Sequence, residues 1–260
     1  MNNLERRLEC AKTIAKAAGV FALNMRDNGN IKVSVKNTND FVTDCDKATE
    51  KFIFNAINKE FPNDGFFGEE DDNVEGNGRW VVDPIDGTTN FFRGLPNWCI
   101  SIAYEVDKYS PLIGVIYVPC SDELYYAMKG KGSFLNGKRI NCSNIDDFSK
   151  SLIVCVPPHR HKESYNFYIE KMKAIGDSVS DMRSLGTCAQ ELCYIAAGCL
   201  EGYYELFLGY YDFAAGQVIV EEAGGKLTNA SRTEPFKDSC CNIVVSNTLL
   251  HKKIEEIIFD

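Results

Sequence analysis

The run Trp80-Val81-Val82-Asp83-Pro84-Ile85-Asp86-Gly87-Thr88-Thr89-Asn90-Phe91 constrains this chain more than any other stretch. Trp80 to Val82 are aromatic or β-branched, the residue types of a strand covered on both faces. Pro84 has no N–H to donate and fixes φ, so the strand is expected to stop there. Asp83 and Asp86 then emerge three residues apart around a stiff Pro-Ile bend. Gly87 lets the backbone approach a ligand closely. A helix starting here leaves the amides of Gly87, Thr88 and Thr89 without helical partners, and such a start favours a bound anion. Two hard oxygen ligands beside an anion-binding turn are what a divalent metal and a phosphate require together. Asp-Pro and Asp-Gly are also common turn dipeptides. The stretch alone therefore leaves an ordinary turn and a site both open.

At 260 residues the chain can bury a large core, and its net charge of −9 comes with no basic stripe able to neutralise nucleic-acid phosphates. An acidic protein still binds an anionic substrate if metals supply local positive charge. The 11 cysteines are scattered, without a CxxC pair or Cys/His cluster, so neither a zinc site nor a disulfide framework is implied. No secretory signal stands at the N-terminus, so free thiols and a cytoplasmic location are expected. No apolar run approaches the ~20 residues needed to span a bilayer, so no membrane partner is expected.

Helical spacing of apolar residues predicts a helix over 4–26, and Ile31 to Val35 suit a short strand before a polar loop opening at Lys36. A second helix follows Thr43 or Asp44 as cap and stops at Pro62; Asp46 lies in its first turn, where the helix dipole favours a carboxylate in any case. A short apolar strand then runs into Glu69-Glu70-Asp71-Asp72, either a solvated loop or a run of repelling acids that a cation would relieve. Residues 73–78 read as a polar loop. Segments 99–105, 112–118 and 123–127 read as an antiparallel meander, and Asn136-Gly137 as a hairpin turn. Lys129-Gly130-Lys131-Gly132-Ser133 lacks phosphate-loop spacing and reads as a turn.

The polar stretch 141–150 is the expected boundary between an N-terminal α+β half, 1–140, and a C-terminal α/β half, 141–260. In the second half, His159-Arg160-His161 reads as an exposed loop. Gly186-Thr187 either cap a helix or offer amides and a hydroxyl to a ligand. Glu205, a charge within a strand of aromatics, either faces solvent or has a purpose. Asp212 is placed as N-cap of a helix running to Ala223, and 249–259 reads as a terminal helix. Oxygen ligands without His or Cys at Asp46, Glu69, Glu70, Asp83, Asp86 and Asp212 favour Mg²⁺ over zinc.

These residues, with Gly68-Glu69-Glu70, the long Asp83-to-Phe91 string, Gly186-Thr187, Asp212-Phe213-Ala214-Ala215-Gly216 and Glu221-Glu222-Ala223-Gly224-Gly225, resemble the inositol monophosphatase family. That family sits in the wider superfamily of lithium-sensitive, magnesium-dependent phosphatases that includes fructose bisphosphatases. The resemblance covers nearly the whole chain. It implies a layered α/β/α/β/α sandwich, usually a homodimer, with two or three Mg²⁺ ions per site. It implies that Glu69, Asp83 and the Ile85 carbonyl hold one metal, and that Asp83, Asp86 and Asp212 hold a second. Glu69 would face a third, weaker ion, with Glu70 as its neighbour in the acidic pair. Thr88 paired with Asp46 would activate water, Gly87 and Thr88 amides would hold the phosphate, and Lys36 would lie near it. Asp86, Gly186, Thr187, Glu205 and Asp212 would face the alcohol of a small phosphate ester. Tyr211 and Cys188 depart from the family pattern, which usually has Trp and a small residue there.

The implied activity is a Mg²⁺-dependent phosphomonoesterase acting first on inositol 1-phosphate. The alternatives are fructose 1,6-bisphosphatase activity, needing a cation such as Arg160 or Arg183 for the second phosphate, and a catalytically idle metal-binding dimer. Histidinol-phosphate and 3′-phosphoadenosine phosphatases fit less well, since they often carry Lys where this chain has Thr89.

Overall fold

The first helix, α1 (Asn3–Asp27), buries Ala11, Ala15, Ala18 and Ala22, small residues that let it lie close to its neighbours. A computed structural model describes residues 3–28, 33–37, 40–70, 73–158, 160–229 and 236–259, those in 33–43 and Phe259 by backbone alone. The expected positions Ile31, Asp71, Asp72 and His159, and the Lys36 side chain, lie outside the described residues.

After α1 the chain forms β1 (Val33–Asn37), β2 (Asp40–Thr43), α2 (Asp44–Glu60), β3 (Gly65–Gly68), β4 (Asn73–Val74), β5 (Arg79–Asp86) and α3 (Thr88–Arg93). The meander follows as β6 (Cys99–Glu105), β7 (Pro111–Val118), β8 (Glu123–Met128), β9 (Gly132–Leu135) and β10 (Lys138–Ile140). Then come β11 (Leu152–Cys155), α4 (Tyr165–Gly176), β12 (Asp181–Arg183), α5 (Cys188–Ala196), β13 (Gly202–Leu208), α6 (Tyr210–Glu222), β14 (Lys226–Asn229), β15 (Cys241–Ser246) and α7 (His251–Phe259).

Among the described residues, β3 to β10 form an eight-stranded sheet in the order β10-β9-β8-β7-β6-β5-β3-β4, and β11 to β15 a five-stranded sheet in the order β12-β11-β13-β15-β14. In the first sheet β3 and β5 run parallel, and the meander is antiparallel. One face of β5, carrying Trp80 and Val82, packs with Ile100 and Ile102 against α1 and α2. Its other face, with Val81, Ala103 and Ile116, packs on α5 and α6. Those two helices also cover Val154, Tyr203 and Val245 of the second sheet. The far face of that sheet buries Ile153, Tyr204 and Val244 under α4 and α7. The result is the α/β/α/β/α sandwich.

Four expectations need correction. The strand does not stop at Pro84; β5 continues to Asp86, and its pairing with β6 slips between Asp83 and Asp86. A bulge is one of the few places where a strand tolerates proline. Residues 73–74, expected in a loop, pair with β3 as β4. Asp212 is not the N-cap of α6, which begins at Tyr210 behind Gly209. The last helix begins two residues late, leaving Leu249 exposed. The Gly130 and Gly132 amides of the Lys129-to-Ser133 turn do hold an anion, the protein's own Glu222 carboxylate at 2.7 and 2.7 Å. Every cysteine is a free thiol. Among the described residues no helix is long and apolar enough to cross a membrane.

Candidate active site

Where β5 ends, α3 begins and the first turns of α5 and α6 converge, the chain leaves a cavity of about 330 Å³. Glu69, Asp83, Asp86, Glu205 and Asp212 all line it. In a regular strand Asp83 and Asp86 would point to opposite faces, since they are three residues apart. The bulge in β5 turns both into the one cavity.

Glu69 follows directly on β3, its N–H donating to the Val82 carbonyl at 3.2 Å. The preceding Gly68 leaves room for the Glu50 carboxylate, which a β-carbon there would strike. Glu50 also accepts the Glu70 N–H at 2.8 Å. Glu69, and not Glu70, therefore lines the cavity. Asp83 accepts the Ile85 N–H at 3.0 Å, and the Glu69 carboxyl lies beside it. Burial, then the charges of Glu69, Asp86 and Asp212, hold the Asp83 carboxyl well above the usual range.

Asp86 is raised by burial too, but four donors pull it back: the Thr187 hydroxyl, the Ala189 N–H, the Cys99 thiol and the Cys188 N–H. Its Oδ2 accepts the Thr187 hydroxyl at 2.5 Å, the Ala189 N–H at 2.7 Å and the Cys99 thiol at 3.6 Å. The Thr187 hydroxyl goes to Asp86 and not to its own helix, and Asp86 closes the start of α5 in its place. Asp212, third residue of α6, accepts the Gly209 N–H at 2.7 Å, the reach-back half of a capping box. Burial, then Asp86 and Glu205, raise it well above the usual range. Burial raises Glu205 to about 8, against the hydrogen bond it accepts from the Tyr203 phenol.

Thr88 opens α3, and its hydroxyl donates to Asp46 Oδ1 at 3.0 Å and faces the Ile85 carbonyl at 3.2 Å. Asp46 stands fully buried behind it, in the first turn of α2. Gly87 has φ of 89°, and a β-carbon would meet the Asn97 carbonyl at 3.0 Å and that of Gly186 at 3.3 Å, so only glycine fits this turn. Gly186 also lines the cavity. Arg160 and His161 line it, whereas Arg183 is paired with Asp181 at 2.6 Å outside. Tyr211 keeps an aromatic contact with Phe67 at 5.9 Å, and Cys188 is buried at the cavity wall.

Sequence reasoning passed over several residues here. Asn90 Nδ2 donates to the carbonyls of Asn97 and Leu185, both at 2.7 Å, tying the α3 turn to the Gly186 turn. Glu191 accepts the Leu185 N–H at 2.5 Å, and burial raises it to about 8. Asn90 stood inside the organising string and Glu191 inside an apolar helix; the Leu185 carbonyl that Asn90 meets is 95 residues away, whereas the Leu185 N–H that Glu191 meets is six residues back, ahead of its helix. Glu50 was findable, four residues after Asp46 and so on the same helix face.

The donor set suits a hard divalent cation in kind: clustered carboxylates and a carbonyl, with no imidazole. Arg160 is the one cation at the cavity among the described residues, and the carboxyls stay raised despite it, which fits the same conclusion. Among the described residues no three His, Cys, Asp or Glu side chains are drawn close enough to hold an ion.

A family model described as the inositol monophosphatase family matches residues 3–259. The chain is 37% identical over 213 residues to the Nus factor SuhB of Pasteurella multocida, covering 81% of this chain and 79% of that protein. It is 33% identical over 252 residues to an inositol-1-monophosphatase of Rhizobium meliloti, covering 95% and 93%. The crystal structure of the extragenic suppressor protein suhB of Bartonella henselae matches with a TM-score of 0.90 at 33% identity, over 98% of this chain and 99% of that one. With that match running from α1 to α7, the chain belongs to the inositol monophosphatase family of phosphoric monoester hydrolases.

Proposed function

We propose that the protein is a Mg²⁺-dependent phosphomonoesterase of small polyol phosphates, with inositol 1-phosphate as first substrate. The observation that carries this reading is the meeting of Glu69, Asp83, Asp86 and Asp212 with the Thr88–Asp46 pair at one cavity. Glu69, Asp83 and the Ile85 carbonyl would hold one ion, Asp83, Asp86 and Asp212 a second, and Glu69 would face a third. When bound, the ions supply the positive charge that acidifies water and stabilises the leaving alkoxide.

The chain's own groups do the positioning. With the Thr88 proton given to Asp46 rather than to the Ile85 carbonyl, the Thr88 oxygen is left to accept a hydrogen bond from the attacking water. The Gly87 and Thr88 amides hold the phosphate in line with that water. Glu205 and Gly186 face the alcohol, while Thr187 acts by holding Asp86. Fructose 1,6-bisphosphate is the second reading, favoured by Arg160 at the cavity and disfavoured by the removal of Arg183 from it. A homodimer follows from the family resemblance, and light scattering tests it.

Phosphate release from inositol 1-phosphate is expected to need Mg²⁺ and to collapse in Asp83→Asn. Activity untouched by that substitution would overturn the metal assignment. A panel adding fructose 1,6-bisphosphate and histidinol phosphate ranks the substrates.

A further inference from the structure

The carboxylates and the Thr88 turn account for one side of the cavity. The other side differs in chemistry: Val156, Pro157, Pro158, Phe207 and Leu208 line it, together with His161. The pairing of β13 with β15 slips between Glu205 and Leu208, and within that slip Phe207 takes a φ of 65°. Glycine enters this left-handed region freely, whereas a bulky side chain is strained there. Bulges re-aim side chains. Here the Phe207 ring stacks on the His161 imidazole, with centroids 4.0 Å apart and planes 26° from parallel. The pair is held from both ends. The Phe207 N–H donates to Asn242 Oδ1 at 3.0 Å, and His161 Nδ1 lies 3.2 Å from Glu163 Oε1. Strain kept at a cavity wall, for the sake of a ring that faces the cavity, points to a contact made with that ring.

We propose that the Phe207–His161 stack is a specificity element that reads a flat ring on the alcohol portion of the substrate. The inference rests on the phosphomonoesterase reading: phosphate at the Thr88 turn directs the alcohol towards this wall. A polyol edge bristles with hydroxyls and gains little from an aromatic plate. An aryl or heteroaryl ring stacks on it. The wall therefore adds, beside polyol phosphates, phosphate monoesters of alcohols that carry such a ring close to the ester oxygen.

Phe207→Gly tests this without threatening the fold, because glycine suits the backbone angle at that position. The ratio of kcat/KM for 2-phenylethyl phosphate over glycerol 2-phosphate, measured in Mg²⁺, is expected to fall about tenfold, the size of one ring–ring contact. His161→Ala lowers the ratio in the same direction and by less. A ratio unchanged in Phe207→Gly would overturn the proposal. Calorimetric binding of 2-phenylethylphosphonate, which is not hydrolysed, reads the wall apart from catalysis, and Phe207→Gly is expected to weaken it about tenfold. A wild-type protein that binds the phosphonate through Phe207 yet releases no phosphate from any ester sinks the phosphatase reading and leaves the wall standing. Phosphonate affinity equal in the two proteins sinks the wall.

Discussion

Asp86 accepts the Thr187 hydroxyl at 2.5 Å, so a carboxylate at the end of β5 closes the N-terminus of α5 from another element. The same carboxylate is expected to hold a metal ion, and its free oxygen is aimed by this bond. Thr187→Val removes the donor at nearly constant volume. It is expected to cost about 1.5–3 kcal/mol of stability, the range for a hydrogen bond to a charged group, and to weaken Mg²⁺ activation. Thr187→Ser keeps both. Urea denaturation and Mg²⁺ titration of the activity check the pair.

Thr88→Ala removes the Thr88 hydrogen bond to the buried Asp46 and leaves the attacking water without its guide. The expected result is a drop in kcat of about 10²-fold or more with little change in KM, as for loss of a positioned acid–base group. Thr88→Ser retains most of the rate. Steady-state kinetics on inositol 1-phosphate decide it, and a change confined to KM would contradict the role.

Metal removal and pH act together on the acid cluster. Burial raises Glu191 and Glu205 from 4.5 to about 8, and Asp83 and Asp212 shift the same way. A raised carboxyl contributes stability that is full below its unfolded value and is lost as pH rises through its folded one. The metal-free protein is therefore expected to lose Tm steadily from about pH 5 to about pH 8. Mg²⁺ replaces the protons, so its stabilising shift grows with pH. Thermal melts with EDTA or Mg²⁺ across that range test the sign. A Mg²⁺ shift larger at the acid end would refute it.

His251 carries the opposite sign. It lies buried between Ser246 Oγ at 2.9 Å and Thr228 Oγ1 at 2.9 Å. Burial, then Lys226, lowers it from 6.5 to about 4, against the pull of Glu255. The folded chain keeps this imidazole neutral while the unfolded chain protonates it. Its contribution is present above pH 6.5 and is lost as pH falls towards 4. The stability difference between wild type and His251→Gln, followed by urea midpoints, is expected to shrink over that interval. A constant difference would count against it.

The parts of the architecture carried by periodicity were legible in the chain. The apolar stripe of α1 announces itself because burial on one face leaves a local pattern, and β6 to β8 do so as mostly apolar runs because both faces of the sheet are covered there. The acids of the site were legible for a different reason, since carboxylates at the ends of apolar elements are costly without a purpose. What stayed hidden depends on how the chain is placed in space rather than on a local pattern. Pro84 looked like a strand end because the bulge that accommodates it belongs to the pairing with β6. Asp212 looked like an N-cap because the capping residue, Gly209, has no side chain to mark it. Asn90, Glu191 and Phe207 carry no local sign of the carbonyl, the amide and the imidazole they meet.

Helix α6 is apolar on nearly every side, with Phe213, Ala215, Val218 and Ile219 buried between the sheets. Asp212 fixes its first turn at the cavity, and Glu222 fixes its last in the Gly130–Gly132 turn of the first sheet. Unfolding of either sheet therefore exposes this helix, and melting of the helix uncovers both sheets. Cooperativity is built in: the chain is expected to denature in one transition, with the α6 amides among the slowest to exchange their hydrogens with solvent.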